Sequence, residues 1–269
     1  MIDAHVHLWR IGEHGCTWPP PDLDAIYRDV ELPELRALAV ANGIDGVVLV
    51  QSQDNAADTD WLLSLADDPL VLGIVGWSDL RGTLPLHPIL KGLRPMVQDR
   101  PADWYDDPAI DAGLAAMADS GLVLDALIRP RHLAALHRLA ARHPALSIVI
   151  DHAAKPDAGD LPGWEAEMRA IADRPNVACK LSGLLTEPGL TPRIAEVAAI
   201  LLDAFGTDRL IWGSDWPVLT LVGDYASWLA QAQDQIAPSV RDAVFGGNAR
   251  RIYALSGGDD SAGRGARLV

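Results

Sequence analysis

"IDAHVHLW", residues 2–9, decides how the rest of the chain is read. It is an apolar run interrupted at every second position by Asp3, His5 and His7. Alternate side chains of an extended strand point to the same face, so these three polar groups share one side of a buried strand.

Seven further short apolar, β-branched runs follow: "GVVLVQ" (46–51), "VLGIVGW" (71–77), "GLRPM" (92–96), "LVLDALI" (122–128), "SIVIDH" (147–152), "NVACKLSG" (176–183) and "RLIWGSD" (209–215). Between most of them lie Ala/Leu-rich stretches, such as "LPELRALAVAN", "RHLAALHRLAARH" and "RIAEVAAILLDAF", with apolar residues at steps of three and four. Continuous apolar strands alternating with helices imply a parallel sheet covered by helices. Eight such units in about 250 residues match a closed (β/α)8 TIM barrel in a single domain. An open doubly wound sheet would carry a Gly-rich phosphate turn after its first strand, and this chain has "HVHLWR" there. The weakest points of the pattern are the fourth run, which contains Pro95, and the proline-rich "TLPLHPIL" before it. Near the end, "VRDAVFGGNARRIYAL" reads as two helical pieces, the second capped near Asn248 and packing Ile252, Tyr253 and Leu255. The barrel is expected over 1–255, and the polar, glycine-rich 256–269 as a flexible tail.

In such barrels chemistry sits at the carboxyl ends of the strands. Those ends offer His5 and His7, Gln51 and Gln53, Trp77, Arg94 and Gln98, Arg129, Asp151 with His152 and Lys155, Lys180 and Ser182, and Ser214 with Asp215. One strand-end histidine is more often a structural hydrogen-bonding group, and the aspartate of "SDWP" can cap a turn. The coincidence of His5, His7, His152 and Asp215 on runs one, six and eight is what a metal or a polarised carbonyl requires, and structural satisfaction does not. His14, His87, His132, His137 and His143 fall in helical or loop stretches and are read as structural. Asp125, inside the fifth run, is either a polar group of the barrel interior or a sign that the register is off by one.

The formal net charge of −15 argues against nucleic acid or an anionic membrane surface as partner. No apolar run is long enough to span a membrane. Cys16 and Cys179 have no metal spacing, and the start leaves no room for a secretory leader, so a cytoplasmic protein with two free thiols is expected.

"DAHVHLW", "GLRPMVQ", "DHAAKP", "KLSGL", "WGSDWPV" and "GNARRIYAL", spread over nearly the whole chain, resemble the amidohydrolase superfamily. More closely they resemble its branch of sugar-lactone hydrolases and pyrone-dicarboxylate lactonases, which includes L-fucono- and L-rhamnono-lactonases. The resemblance implies a distorted (β/α)8 barrel and hydrolysis of a cyclic ester in carbohydrate metabolism, with no organic cofactor. It also implies a site built from His5, His7, His152 and Asp215. Arg94 stands where two-metal members have a bridging ligand, and the fifth run ends without a histidine, so a binuclear centre is not expected. One divalent cation on His5, His7, His152 and Asp215, zinc by its taste for nitrogen ligands, is optional, because the branch includes members that work without metal. A homo-oligomer is left open.

Lactone hydrolysis needs an activated water, a polarised carbonyl and a proton for the leaving ring oxygen. Asp215 is the expected general base; returning the proton would call for a pKa raised by burial, which the sequence alone does not give. His5, His7 and His152 are expected to polarise the carbonyl, directly or through an ion. Trp18, Trp77, Trp104 and Trp216 are expected to stack on the sugar ring, with Arg94, Gln98 and Lys155 hydrogen-bonding it. A dicarboxylate would need two arginine clamps, and one good strand-end arginine is present, which favours a neutral sugar lactone over a pyrone dicarboxylate. A metal-dependent decarboxylase of the same superfamily is the remaining alternative.

Overall fold

Each of the eight apolar runs becomes a strand in the computed structural model, which describes residues 1–256. They are β1 (Ile2–Val6), β2 (Gly46–Val50), β3 (Val71–Gly76), β4 (Leu90–Leu93), β5 (Val123–Ala126), β6 (Ile148–Ile150), β7 (Val177–Leu181) and β8 (Leu210–Trp212). Every strand pairs in parallel with the next, in the order β1 to β8. The circle is completed by a parallel bridge between Val6 and Trp216, by the His7 amide donating to the Trp216 carbonyl at 2.8 Å, and by the Asp215 amide donating to the His5 carbonyl at 2.9 Å. The result is the expected (β/α)8 barrel. β4 starts earlier than its sequence run, at Leu90, and ends before Pro95, which has no N–H to give to a ladder.

The covering helices are α1 (Leu32–Ala41), α2 (Ala56–Leu63), α3 (Asp111–Asp119), α4 (Leu133–Arg142), α5 (Leu161–Ala172), α6 (Ile194–Phe205), α7 (Tyr225–Gln235) and α8 (Asn248–Ile252). In α6, Ile194, Val197, Ala198, Leu201 and Phe205 are buried, the three-and-four spacing that turns one stripe toward the sheet. The distortion lies between β3 and β4, where 77–89 forms no helix: Gly82, Pro85 and Pro88 interrupt any turn that begins there. Among the described residues no helix is long and apolar enough to cross a membrane.

The barrel interior is filled by Ile2, Val48, Val50, Val75, Val123, Val149 and Ile211, against which Ala249, Tyr253 and Leu255 pack from the last segment. Asp125 belongs to this interior: it pairs in register with Val149, and its carboxylate is buried between Lys180 and Tyr253, so the register is not shifted. Asn248 departs from its expected role as a helix cap. Its amide donates to the carbonyls of Thr207 at 2.7 Å and Leu210 at 2.8 Å, tying α8 to the start of β8. Asn248→Ala leaves two carbonyls without a donor and should lower stability by about 2 kcal/mol, seen as a lower urea midpoint at unchanged slope. The tail reading over 256–269 falls, from 257 on, outside the described residues.

Candidate active site

The last residues of β1 and the turn after β8 are bound together from below by Asp3. Its Oδ1 accepts from the amides of Ser214 (2.9 Å) and His5 (3.1 Å), and its Oδ2 from the Tyr225 hydroxyl (2.8 Å). Full burial pushes its carboxyl up to about 6, although these hydrogen bonds oppose the shift. Above Asp3, the His7 Nδ1 lies 2.8 Å from the Val50 carbonyl. A carbonyl only accepts, so the proton is on Nδ1 and Nε2 carries the lone pair. That Nε2 sits 3.1 Å from His5 Nε2 and 3.3 Å from Asp215 Oδ1.

His152 arrives by an unusual route. After β6, His152, Ala153, Ala154 and Lys155 all have positive φ, 51° to 60°, a left-handed turn of four non-glycine residues. Each costs about 1–2 kcal/mol for an L-residue, and such strain persists only where the surroundings enforce it. The turn places His152 Nδ1 at 2.9 Å from the Ser182 hydroxyl and its ring beside His5. Asp215 is also left-handed, at φ 61°, and its Oδ1 lies 3.7 Å from His5 Nε2 and 3.8 Å from His152 Nε2.

Burial drives His5 well below the usual imidazole range and His152 down to about 4, so both are neutral at pH 7. Burial pushes the Asp215 carboxyl up, but the surrounding imidazoles, His152 foremost, outweigh it and hold the group well below the usual carboxylate range. The upward shift that the return step would call for is therefore not found, and the residue is an anion. Nε2 of His5, Nε2 of His7 and Oδ1 of Asp215 stand 3.1 to 3.7 Å apart, the separation of ligands that share one ion at about 2.0–2.2 Å. The donor set fits a single divalent cation. Arg94, a permanent cation 3.4 Å from His5 Nε2, stands against a second.

A layer below lies a buried charge network. Lys180 Nζ contacts Asp125 Oδ2 (2.5 Å), Asp151 Oδ1 (3.0 Å) and His5 Nδ1 (3.2 Å). Arg94 reaches Asp151 Oδ2 at 3.4 Å and donates to the Gln51 carbonyl. Two cations and two carboxylates balance, which is what allows four charges to be buried together.

The mouth opens on a cavity of about 570 Å³ whose wall includes His7, His152, Asp215, Trp18, Arg94, Gln98 and Lys155. The remaining expected site residues are placed differently. His5 is fully buried and is not part of that wall, so it does not polarise a substrate carbonyl directly; it lies beneath His7 and His152. Trp216 is 3% exposed and packs into the core. Trp77 and Trp104 line a separate hollow of about 270 Å³ that shares Asp54, Met96 and Arg100 with the main cavity. Arg94 is committed to Asp151 and Gln51, and Lys155 to Glu187 at 3.7 Å. Thr17, Asp54, Asp99, Arg100 and Thr186 of the wall escaped sequence reading, because they lie in loops with no periodic signal. Gln53 fastens one of these loops: its Oε1 accepts from the Thr17 (2.9 Å) and Trp18 (3.2 Å) amides, and its Nε2 donates to the Trp18 carbonyl (2.8 Å). Gln53→Ala should free the Trp18 wall and raise KM about tenfold while kcat changes little, measured by steady-state kinetics.

An amidohydrolase family model matches residues 2–255. An L-fucono-1,5-lactonase from Burkholderia ambifaria is 44% identical over 276 residues, covering 94% of this chain and 95% of its own length. A second L-fucono-1,5-lactonase, from Burkholderia multivorans, is 34% identical and covers 94% of this chain and 96% of its own length. The crystal structure of an amidohydrolase from Burkholderia multivorans with bound zinc superposes with a TM-score of 0.88 at 32% identity, over 95% of this chain and 99% of that one.

Proposed function

The chain belongs to the amidohydrolase family, and from that premise we propose that it hydrolyses a neutral sugar lactone, L-fucono-1,5-lactone being the first compound to test. The observation that carries the choice of a neutral ring is the charge on the cavity wall. Asp54 and Asp99 face the cavity, while Arg94 pairs with Asp151, Lys155 with Glu187 and Arg100 with Asp54 at 3.7 Å. A carboxylated lactone would meet three acidic groups, Asp54, Asp99 and Asp215, and wall cations that already have acidic partners; ring hydroxyls can hydrogen-bond to both kinds of group.

The chemistry runs through Asp215. As an anion at the mouth, it takes a proton from water as the oxygen attacks the lactone carbonyl carbon. When the ring C–O bond breaks, Asp215 returns that proton to the leaving alkoxide, a far stronger base than any carboxylate. Its low pKa therefore helps the second step and burdens the first, so charge growing on the carbonyl oxygen has to be met by donors. His152 supplies one in the tautomer in which the Ser182 hydroxyl donates to Nδ1, which leaves Nε2–H to face the developing oxyanion. A cation held by His5, His7 and Asp215, when bound, supplies Lewis-acid polarisation of the carbonyl. Trp18 gives an apolar face for the ring.

A pH-indicator assay over a panel of aldonolactones, with a pyrone dicarboxylate as the anionic comparison, tests this. Turnover of at least one neutral lactone, well above that of the dicarboxylate, is expected. No turnover of any neutral lactone by folded protein would overturn the reading.

A further inference from the structure

Lys180 is fully buried, and three acceptors from three strands surround its ammonium: Asp125 on β5, Asp151 beyond β6 and the Nδ1 of His5 on β1. A lysine ammonium only donates, so the Nδ1 that receives it must present a lone pair. A neutral imidazole has one lone pair and one N–H, which puts the His5 proton on Nε2. The neighbours agree. His5 Nε2 lies 3.1 Å from His7 Nε2, whose lone pair is free because the His7 proton is spent on the Val50 carbonyl. Two contacts pull the other way. Asp151 Oδ1 is 3.4 Å from His5 Nδ1, but it is farther than the Lys180 ammonium at 3.2 Å and itself faces that ammonium at 3.0 Å. Arg94 Nη1 is 3.4 Å from His5 Nε2, but it is longer than the Lys180 and His7 contacts, and this guanidinium has Asp151 and Gln51 to donate to.

We propose that Lys180 is a positioning residue that sets the tautomer of His5 and by doing so holds down the affinity of the His5–His7–Asp215 cluster for a divalent cation. To ligate, His5 must offer the Nε2 lone pair, so its proton has to move to Nδ1, head-on to the Lys180 ammonium. The cluster therefore has the spacing of a cation site while its resting hydrogen-bond pattern opposes one of the three ligands. This deepens the proposed lactone site but is tested without any lactone, so it can fail while that reading stands.

The first measurement needs no variant. In metal-free protein labelled with ¹⁵N-histidine, with the His5 signals assigned by their loss in His5→Gln, His5 should show a protonated Nε2 and an unprotonated Nδ1. The second uses Lys180→Met combined with Asp125→Asn, which removes the donor while keeping the buried charge balanced. There the His5 proton should move to Nδ1, and Zn²⁺ affinity, read by competition with a chromophoric chelator, should rise at least tenfold. Asp125→Asn alone retains Lys180 and should bind Zn²⁺ no more tightly than the wild type. A wild-type His5 protonated on Nδ1 would overturn the proposal, whatever the variants do. So would a folded double variant whose Zn²⁺ affinity is unchanged or lower.

Discussion

Asp215→Asn is expected to lower lactone hydrolysis by about a thousandfold, within the 10² to 10⁴ that a positioned general base contributes, while the barrel stays folded. The change is isosteric. The Asp215 amide, which closes the barrel onto the His5 carbonyl, is untouched, and asparagine accepts a φ of 61° as readily as aspartate. What disappears is the anion that faces Nε2 of His7, His5 and His152 at once. An amide cannot accept a proton from water at neutral pH, so kcat and kcat/KM should fall together, with a melting temperature within a few degrees of the wild type. Near-normal turnover by the variant would remove Asp215 from the reaction.

Gly183→Ala tests how tightly His152 must be held. Gly183 has φ +62°, and a Cβ there would stand 2.4 Å from His152 Nδ1 and 2.6 Å from its Cγ. The ring has little room to yield, since it is fixed by Ser182, by His5 and by the left-handed turn beneath it. The imidazole should be displaced, with kcat falling about a hundredfold, the loss expected for a catalytic group misplaced by about 1 Å. Overpacking plus the positive φ should also cost about 2 kcal/mol of stability. Gly206→Ala is the matched control. Its φ is +67°, but nothing lies within 4 Å of the added methyl, so it should lose about 1 kcal/mol and no activity. Equal kinetics for the two variants would mean that the position of His152 does not matter.

The strands were legible because β-branched runs bounded by polar residues admit few other readings, and the carboxyl-end rule then pointed to His7, His152 and Asp215, which do meet at one cavity. Depth was not legible. His5 and His7 share a face, but alternation does not tell which lies beneath the other, and only the neighbouring strands put His5 out of reach of the cavity. Trp216 and Trp18 look alike as loop tryptophans; one is buried by residues remote in sequence, the other is held at the wall by Gln53. Arg94 looked free because Asp151, which claims it, is 57 residues away. The low pKa of Asp215 has a similar origin: the sequence brings three imidazoles to the carboxylate, but how closely they face it, and so whether they outweigh burial, depends on contacts between remote strands.

The barrel's last seam is stitched by the same residues that we propose bear the chemistry: the amides of His7 and Asp215 hold β1 to the turn after β8. A chain with its seven strand pairs zipped and this seam open would have much of its secondary structure and no site, since His7 and Asp215 would sit at opposite free edges. Competence should therefore appear in a single late step of folding. Slow hydrogen exchange at these two amides would be a direct gauge of how often the working enzyme comes apart at its own active site.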